Sequence, residues 1–96
     1  MDDADRHFAI TKDIHTRTFD GELVLLDLAG GDYYGVNEVG ARLWAGFVAG
    51  KTAREVATEI RDEFDVSLEV LLDDLVDLTR DLLKRGLIRS VESAHP

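Results

Sequence analysis

The chain has 96 residues, 45% hydrophobic and 32% charged, the size and balance of one small globular domain. Its 11 basic and 20 acidic residues give a net charge of −9, which disfavours a nucleic-acid partner, because binding phosphate takes Lys and Arg that displace counterions. There is no cysteine for disulfide or thiol chemistry, the acidic Met1-Asp2-Asp3 start is no signal peptide, and the longest apolar run, Leu23 to Leu26, is far short of a membrane span; the expected location is cytoplasmic.

Residues 1–7 are polar and expected to be a flexible lead-in. From Phe8 to Phe19 the pattern is strand-like, with Phe8, Ile10 and Ile14 on alternating positions. Asp20-Gly21 then signals a two-residue hairpin, since both residues tolerate positive φ. Glu22 to Leu28 is the clearest strand, apolar on both faces, which predicts a central strand covered on each side. Gly30-Gly31 makes a second turn, and Asp32 to Val36 is a third strand at an edge of the sheet.

Three helices follow. Asn37 is an N-cap for the first, over residues 38–49, and Gly50 stops it. Thr52-Ala53-Arg54-Glu55 has the form of a capping box and starts the second, which sets Ala53, Val56, Ala57, Ile60 and Phe64 on one face. Ser67 caps the third, which runs to Arg85 and stops at Gly86. Leu87 to Val91 reads as a short final strand or as tail, and residues 91–96 as a C-terminal tail. The fold class is α+β: a three-stranded antiparallel sheet followed by three helices, with a winged helix-turn-helix-like outline.

The third helix carries the most information. Leu68, Leu71, Leu72, Leu75, Val76, Leu78, Leu82 and Leu83 form an apolar arc of roughly 160°, wider than the stripe of about 100° that one core requires. One rim of the arc is therefore available to something other than the domain's own core, unless two internal neighbours consume it. The opposite face carries Asp73, Asp74, Asp77 and Asp81, carboxylates that phosphate would repel. The helix-turn-helix outline keeps a winged-helix DNA-binding regulator as the alternative, but the exposed chemistry argues against it.

Catalytic signals are missing. His7, His15 and His95 lack metal-ligand spacing, and there is no nucleophile elbow, P-loop or dinucleotide fingerprint, so neither an enzyme nor a cofactor is expected. The aspartates of the third helix read as a solvated face with Arg80, Lys84 and Arg85 three or four residues away, and Trp44 reads as core packing.

An edge strand exposes unpaired N–H and C=O groups, and natural edges are usually blunted. No proline or lysine guards residues 32–36. Tyr34 and Val36 share one face, Tyr33 and Gly35 the other, and Gly35 lets another backbone approach. With the spare rim of the third helix, this strand would form a groove suited to β-augmentation by an extended peptide. A bland reading competes: Tyr33 and Tyr34 simply pack on the helices, with the edge blocked by a terminus or by a second copy, the latter making a weak dimer of an otherwise monomeric chain.

The run LVLLDLAGGDYYGVNEVGARLWAGFVAGKTAREVATEI, with the later RDEFDVSLEVLLDDLVDLTRDLLKRGLI, resembles the PqqD-like leader-recognition domains of ribosomally made, modified peptides. The matching points are Val36-Asn37, Gly50-Lys51-Thr52 and Gly86-Leu87-Ile88, and the likeness spans residues 8–90. It implies a non-catalytic peptide chaperone in which a precursor's leader joins the third strand. The backbone contacts would then fall on Asp32, Tyr33, Tyr34, Gly35 and Val36. Tyr34, Val36, Leu71, Leu75, Leu78 and Leu82 would supply the pocket, and Asp74 and Asp81 would sit at its rim. Which of those leucines face the guest and which the core stays open. The implied partners are the leader peptide and a separate modifying enzyme or leader peptidase. The Tyr-Tyr strand and acidic third helix resemble the lasso-peptide branch more than the branch serving radical-SAM enzymes in cofactor pathways.

Overall fold

In the computed structural model, residues 3–91 are described. They form β1 (Phe8–Ile10), β2 (Ile14–Phe19), β3 (Glu22–Asp27), β4 (Asp32–Val36), α1 (Glu38–Val48), α2 (Ala53–Phe64), α3 (Leu68–Lys84) and β5 (Ile88–Ser90), preceded by a single 3₁₀ turn at Asp3–Asp5. The architecture is the α+β, winged helix-turn-helix-like one that the sequence pattern predicts, a three-stranded antiparallel sheet in the order β2-β3-β4 followed by three helices.

The hairpin between β2 and β3 turns on Asp20 (φ 53°) and Gly21 (φ 80°), so Phe19 lies opposite Glu22 and the whole register follows. Between β3 and β4, Asp27 Oδ1 accepts from the N–H groups of Ala29 and Gly30, and Asp27 O accepts from Gly31 N at 2.8 Å. These bonds end β3 at Asp27, one residue before the predicted Leu28.

Three expectations change. The stretch from Phe8 to Phe19 is two strands: Asp13 adopts a left-handed backbone (φ 67°) that breaks it, and β1 leaves the main sheet to pair with β5. Thr11 secures the break, its hydroxyl donating to Gly86 O at 2.6 Å and its N–H to Leu87 O at 3.1 Å. The residues after α3 thus form a strand as far as Ser90; residues 92–96 of the expected tail lie outside the described residues. Second, β3 is central but not covered on both sides. Leu25 is fully buried under α1, whereas Val24 and Leu26 on the other face stay half-buried beside exposed Phe19 and Tyr33. Third, the lead-in expected to be flexible is docked over residues 3–7. Ala4 is fully buried, Asp3 pairs with Arg80 at 3.0 Å and with Arg6 at 2.9 Å, and Asp5 pairs with Arg54 at 2.7 Å.

The helices start on the predicted caps. Asn37 accepts from Gly40 N, Thr52 and Glu55 form a reciprocal capping box, and Ser67 accepts from Val70 N. Their apolar faces meet the sheet in one core that includes Leu25, Leu43, Trp44, Ile60, Leu75 and Leu82. Thr79, alone polar within the arc of α3, is satisfied there because its hydroxyl donates to Leu75 O at 2.7 Å.

Close helix approach needs two glycines. A Cβ on Gly46 would lie 2.2 Å from Val56 Cγ2, so this position lets α1 meet α2. A Cβ on Gly40 would lie 2.9 Å from Val36 Cβ and 3.0 Å from Leu78 Cδ2, so Gly40 lets the start of α1 sit where β4 and α3 converge. A glycine inside a helix costs about 1 kcal/mol relative to alanine, and this packing is what it secures.

Candidate functional site: an open strand edge beside an apolar groove

β4 pairs with β3 along one side, and among the described residues no strand pairs with its other side. Tyr34 and Val36 turn towards the helices, and Tyr33 and Gly35 turn away. Beyond the free edge lies α3. The two elements enclose a groove of about 440 Å³.

The structure gathers most of the predicted site residues here and sorts their roles. Tyr34, Gly35 and Val36 form the strand wall. Leu71 and Leu75 are 2% and 1% exposed, so they are the floor of the groove and part of the core at once. Half-buried Leu78 is the helix-side wall, and exposed Asp74 stands at the rim. Asp32 and Tyr33 are exposed beside the groove, Tyr33 on the outer face of the sheet. Space around Gly35 is open, since a Cβ there would meet only Glu22 Oε1 at 4.0 Å.

Two assignments change. Leu82 is 1% exposed and borders the core instead of the groove. Asp81 is not a free rim carboxylate: it accepts a hydrogen bond from the Tyr34 hydroxyl, and Arg85 Nε lies 3.4 Å from the same oxygen. The Arg85 guanidinium also covers the Tyr34 ring at 4.4 Å. Tyr34, Asp81 and Arg85 thus form one unit that ties the middle of β4 to the end of α3, and Leu82 lies past that crossing. Burial first, and the Asp81 carboxylate second, push the Tyr34 phenol above its ordinary pKa. The hydrogen bond from Tyr34 is the main cause that holds Asp81 below its ordinary value.

Sequence reasoning missed the groove's far end, formed by Asn37, Val39, Gly40, Phe64 and Val66. A signal for Gly40 was present, namely a glycine within a helical pattern. A weaker one marked Val66, an apolar residue in a turn, which is 41% exposed. Val39 and Phe64 carried none, because their spacing fits ordinary helix burial.

The other rim of α3's arc is partly covered. Val76 packs at 9% exposure near the docked 3₁₀ turn, where Ala4 and the Asp3–Arg80 pair lie over it beside a hollow of about 340 Å³ that reaches Leu72 and Asp77. The arc wider than one core is therefore divided between the N-terminal turn and the groove.

A family model described as coenzyme PQQ synthesis protein D (PqqD) matches residues 22–88, which include β4, the groove and α3. The chain belongs to the PqqD family. As a PqqD-family member it is a non-catalytic domain. Two solved structures are similar. One is TbiB1 in complex with the TbiA(beta) leader peptide, 31% identical over 92% of this chain and 99% of that one, with a TM-score of 0.74. The other is a lasso peptide synthetase B1 complexed with the leader peptide, 24% identical over 85% and 96% of the two chains, with a TM-score of 0.78; at that identity it speaks to the fold alone. No curated protein matches the chain significantly. Among the described residues no group of three metal-ligating side chains comes together, and no helix is long and apolar enough to cross a membrane.

Proposed function

We propose that this PqqD-family chain is a cytoplasmic peptide chaperone. It captures the leader segment of a ribosomally made precursor as an added strand on β4 and delivers it to a separate modifying enzyme or leader peptidase. The observation that carries this reading is the unpaired edge of β4 lying directly beside the apolar groove. The edge supplies main-chain hydrogen bonds, and the groove accepts alternate side chains of the guest. Asp74 at the rim suits a basic residue of the leader.

The magnitudes are adequate. About four hydrogen bonds at a net 0.5–1.5 kcal/mol each, with two apolar side chains contributing about 1.5–3 kcal/mol each, exceed the several kcal/mol needed to order a flexible segment. The favourable end of that balance, about 8–10 kcal/mol, corresponds to micromolar affinity or somewhat tighter. TbiB1, 31% identical along nearly its whole length and described in complex with a leader peptide, supports the leader reading, and lasso-peptide biosynthesis is the favoured setting because the Tyr33-Tyr34 strand and the acidic α3 resemble that branch. A chaperone for a radical-SAM cofactor pathway is the second setting. A DNA-binding regulator is disfavoured by exposed Asp73, Asp74 and Asp77 on α3.

The test is titration of the isotopically labelled chain with the TbiA(beta) leader and with the leader of a precursor encoded beside its own gene. Amide shifts concentrated on residues 32–36 and along α3 are expected with at least one of them. If neither moves those amides while the chain is folded, the proposed capture mode is wrong.

A further inference from the structure

Tyr34 borders two hollows. The groove of about 440 Å³ lies on its Val36 side, and a second hollow of about 240 Å³, reaching Asp27, Asp32, Arg85 and Leu87, lies on its Asp32 side. β4 and α3 pass each other in opposite senses: the Val36 end meets Leu71 and Leu75, and the Asp32 end meets Arg85. The hydrogen bond from Tyr34 to Asp81, with Arg85 over the ring, consequently crosses the cleft as a bridge and leaves a compartment on each side.

The compartments differ in chemistry. The first is walled mainly by leucines and Phe64, with Asn37 and a single carboxylate, Asp74, at its rim. In the second, Asp27 and Asp32 are cross-strand partners, so both carboxylates stand on the face that Tyr34 shares. Like charges directly opposite on a ladder destabilise it unless something neutralises them. Asp27 spends Oδ1 on the turn N–H groups. Arg85, the cation that lines this hollow, is already engaged by Asp81 at 3.4 Å. Asp27, Asp32 and Asp81 thus set three carboxylates around this hollow against the Arg85 guanidinium, with Lys84 acting on Asp81 from α3.

We propose that Tyr34 is a specificity-determining partition: the guest is read by a bulky apolar side chain in the first compartment and a cationic one in the second, with a small residue facing Tyr34 between them. This rests on the strand-addition reading given above. An added strand follows β4 residue for residue, and its inward side chains recur at every second position. The compartments flank Tyr34 towards positions 36 and 32, so the two anchors stand four residues apart in the guest, about 13 Å along an extended chain.

A library of random 12-residue peptides displayed on phage, panned against the full chain, tests this. Wild type should enrich a bulky apolar residue and a Lys or Arg four positions apart, with Gly, Ala or Ser midway. Tyr34→Ala should abolish both the fixed spacing and the small-residue preference, while Tyr34→Phe, which keeps the ring, should retain the small residue. The double variant Asp27→Asn/Asp32→Asn keeps an acceptor for the turn; it should lose the basic preference alone and bind a basic winner about threefold to tenfold more weakly. Winners with an apolar anchor but no cation at fixed spacing, or a spacing that survives Tyr34→Ala in a chain with a cooperative melt, overturn the partition and leave strand addition standing. No enrichment at all by folded wild type overturns both.

Discussion

Among the described residues the sheet has two free edges, and they are unlike. β2 presents Ile14–Phe19, nearly all exposed, with Arg17 in its middle, and it packs chiefly on β3. β4 presents Asp32–Val36 with no basic side chain, and α3 lies alongside it across an apolar groove. Both edges offer unpaired backbone groups, and backbone groups alone do not distinguish one extended chain from another. What sets β4 apart is the second wall. Selectivity in this architecture belongs to the place where a hydrogen-bonding edge and a greasy helix rim coincide, and β2 lacks the rim.

The sharpest way to break this contrast is a charge in the groove. Leu78→Asp removes about 1.5–3 kcal/mol of apolar burial in the complex and asks a carboxylate to desolvate unpaired. Affinity for a leader peptide is expected to fall about 100-fold or more, since 1.4 kcal/mol is tenfold. The matching change on the other edge, Thr16→Asp, should leave affinity within about twofold. Calorimetric titration measures both, with thermal melts confirming that each variant folds. Equal losses at the two edges would dissolve the distinction.

Two alanine substitutions sharpen it. Gly46→Ala drives a Cβ to 2.2 Å from Val56 Cγ2, far from the groove, and should lower stability by about 1–3 kcal/mol without altering the groove wall. Gly40→Ala meets Val36 and Leu78 at 2.9 and 3.0 Å. Both variants gain up to about 1 kcal/mol in helix propensity, so the milder clash at Gly40 should change stability less than the one at Gly46. Because those two neighbours are groove walls, displacing them should weaken peptide binding about tenfold. Denaturant unfolding and titration of the two variants separate a core glycine from a groove glycine.

The sequence made the edge legible and left the far end of the groove dark, for a physical reason. Asp20-Gly21 and Gly30-Gly31 are local turn signals, so they placed β4 and its register without reference to anything distant. The caps at Asn37, Thr52 and Ser67 are equally local. By contrast, whether Leu78 or Leu82 meets the guest depends on where Tyr34 crosses to Asp81, a contact between residues 47 positions apart that no helical wheel contains. The break at Asp13 and the pairing of β1 with β5 are long-range in the same sense, and alternation across Phe8 to Phe19 reads as one strand until its partner is known. The docking of residues 3–7 hinges on Ala4, a small residue whose burial has no periodic signature.

The smallest expected effect separates the two sides of α3 by pH. On the side of the 3₁₀ turn, hydrogen bonds from Arg80 and then Arg6 hold Asp3 below its ordinary pKa. On the groove side, Tyr34 and then Arg85 do the same for Asp81. A carboxyl whose folded pKa is lowered contributes stability above its unfolded pKa, near 4, and loses it as pH falls through the folded one. Both sides therefore weaken in acid. Only the groove side also weakens in base. The Tyr34 phenol is raised, so its contribution is complete below about 10 and is lost as pH climbs through the folded value. Asp3→Asn should flatten the acid limb of a melting-temperature profile by about 1–3 °C and leave the alkaline limb alone. Asp81→Asn should soften both limbs, because its carboxylate is one reason that the phenol is raised. If Asp3→Asn changes the alkaline limb as much as Asp81→Asn does, the two sides of α3 are coupled through the helix, and the groove is not the independent element that its geometry describes.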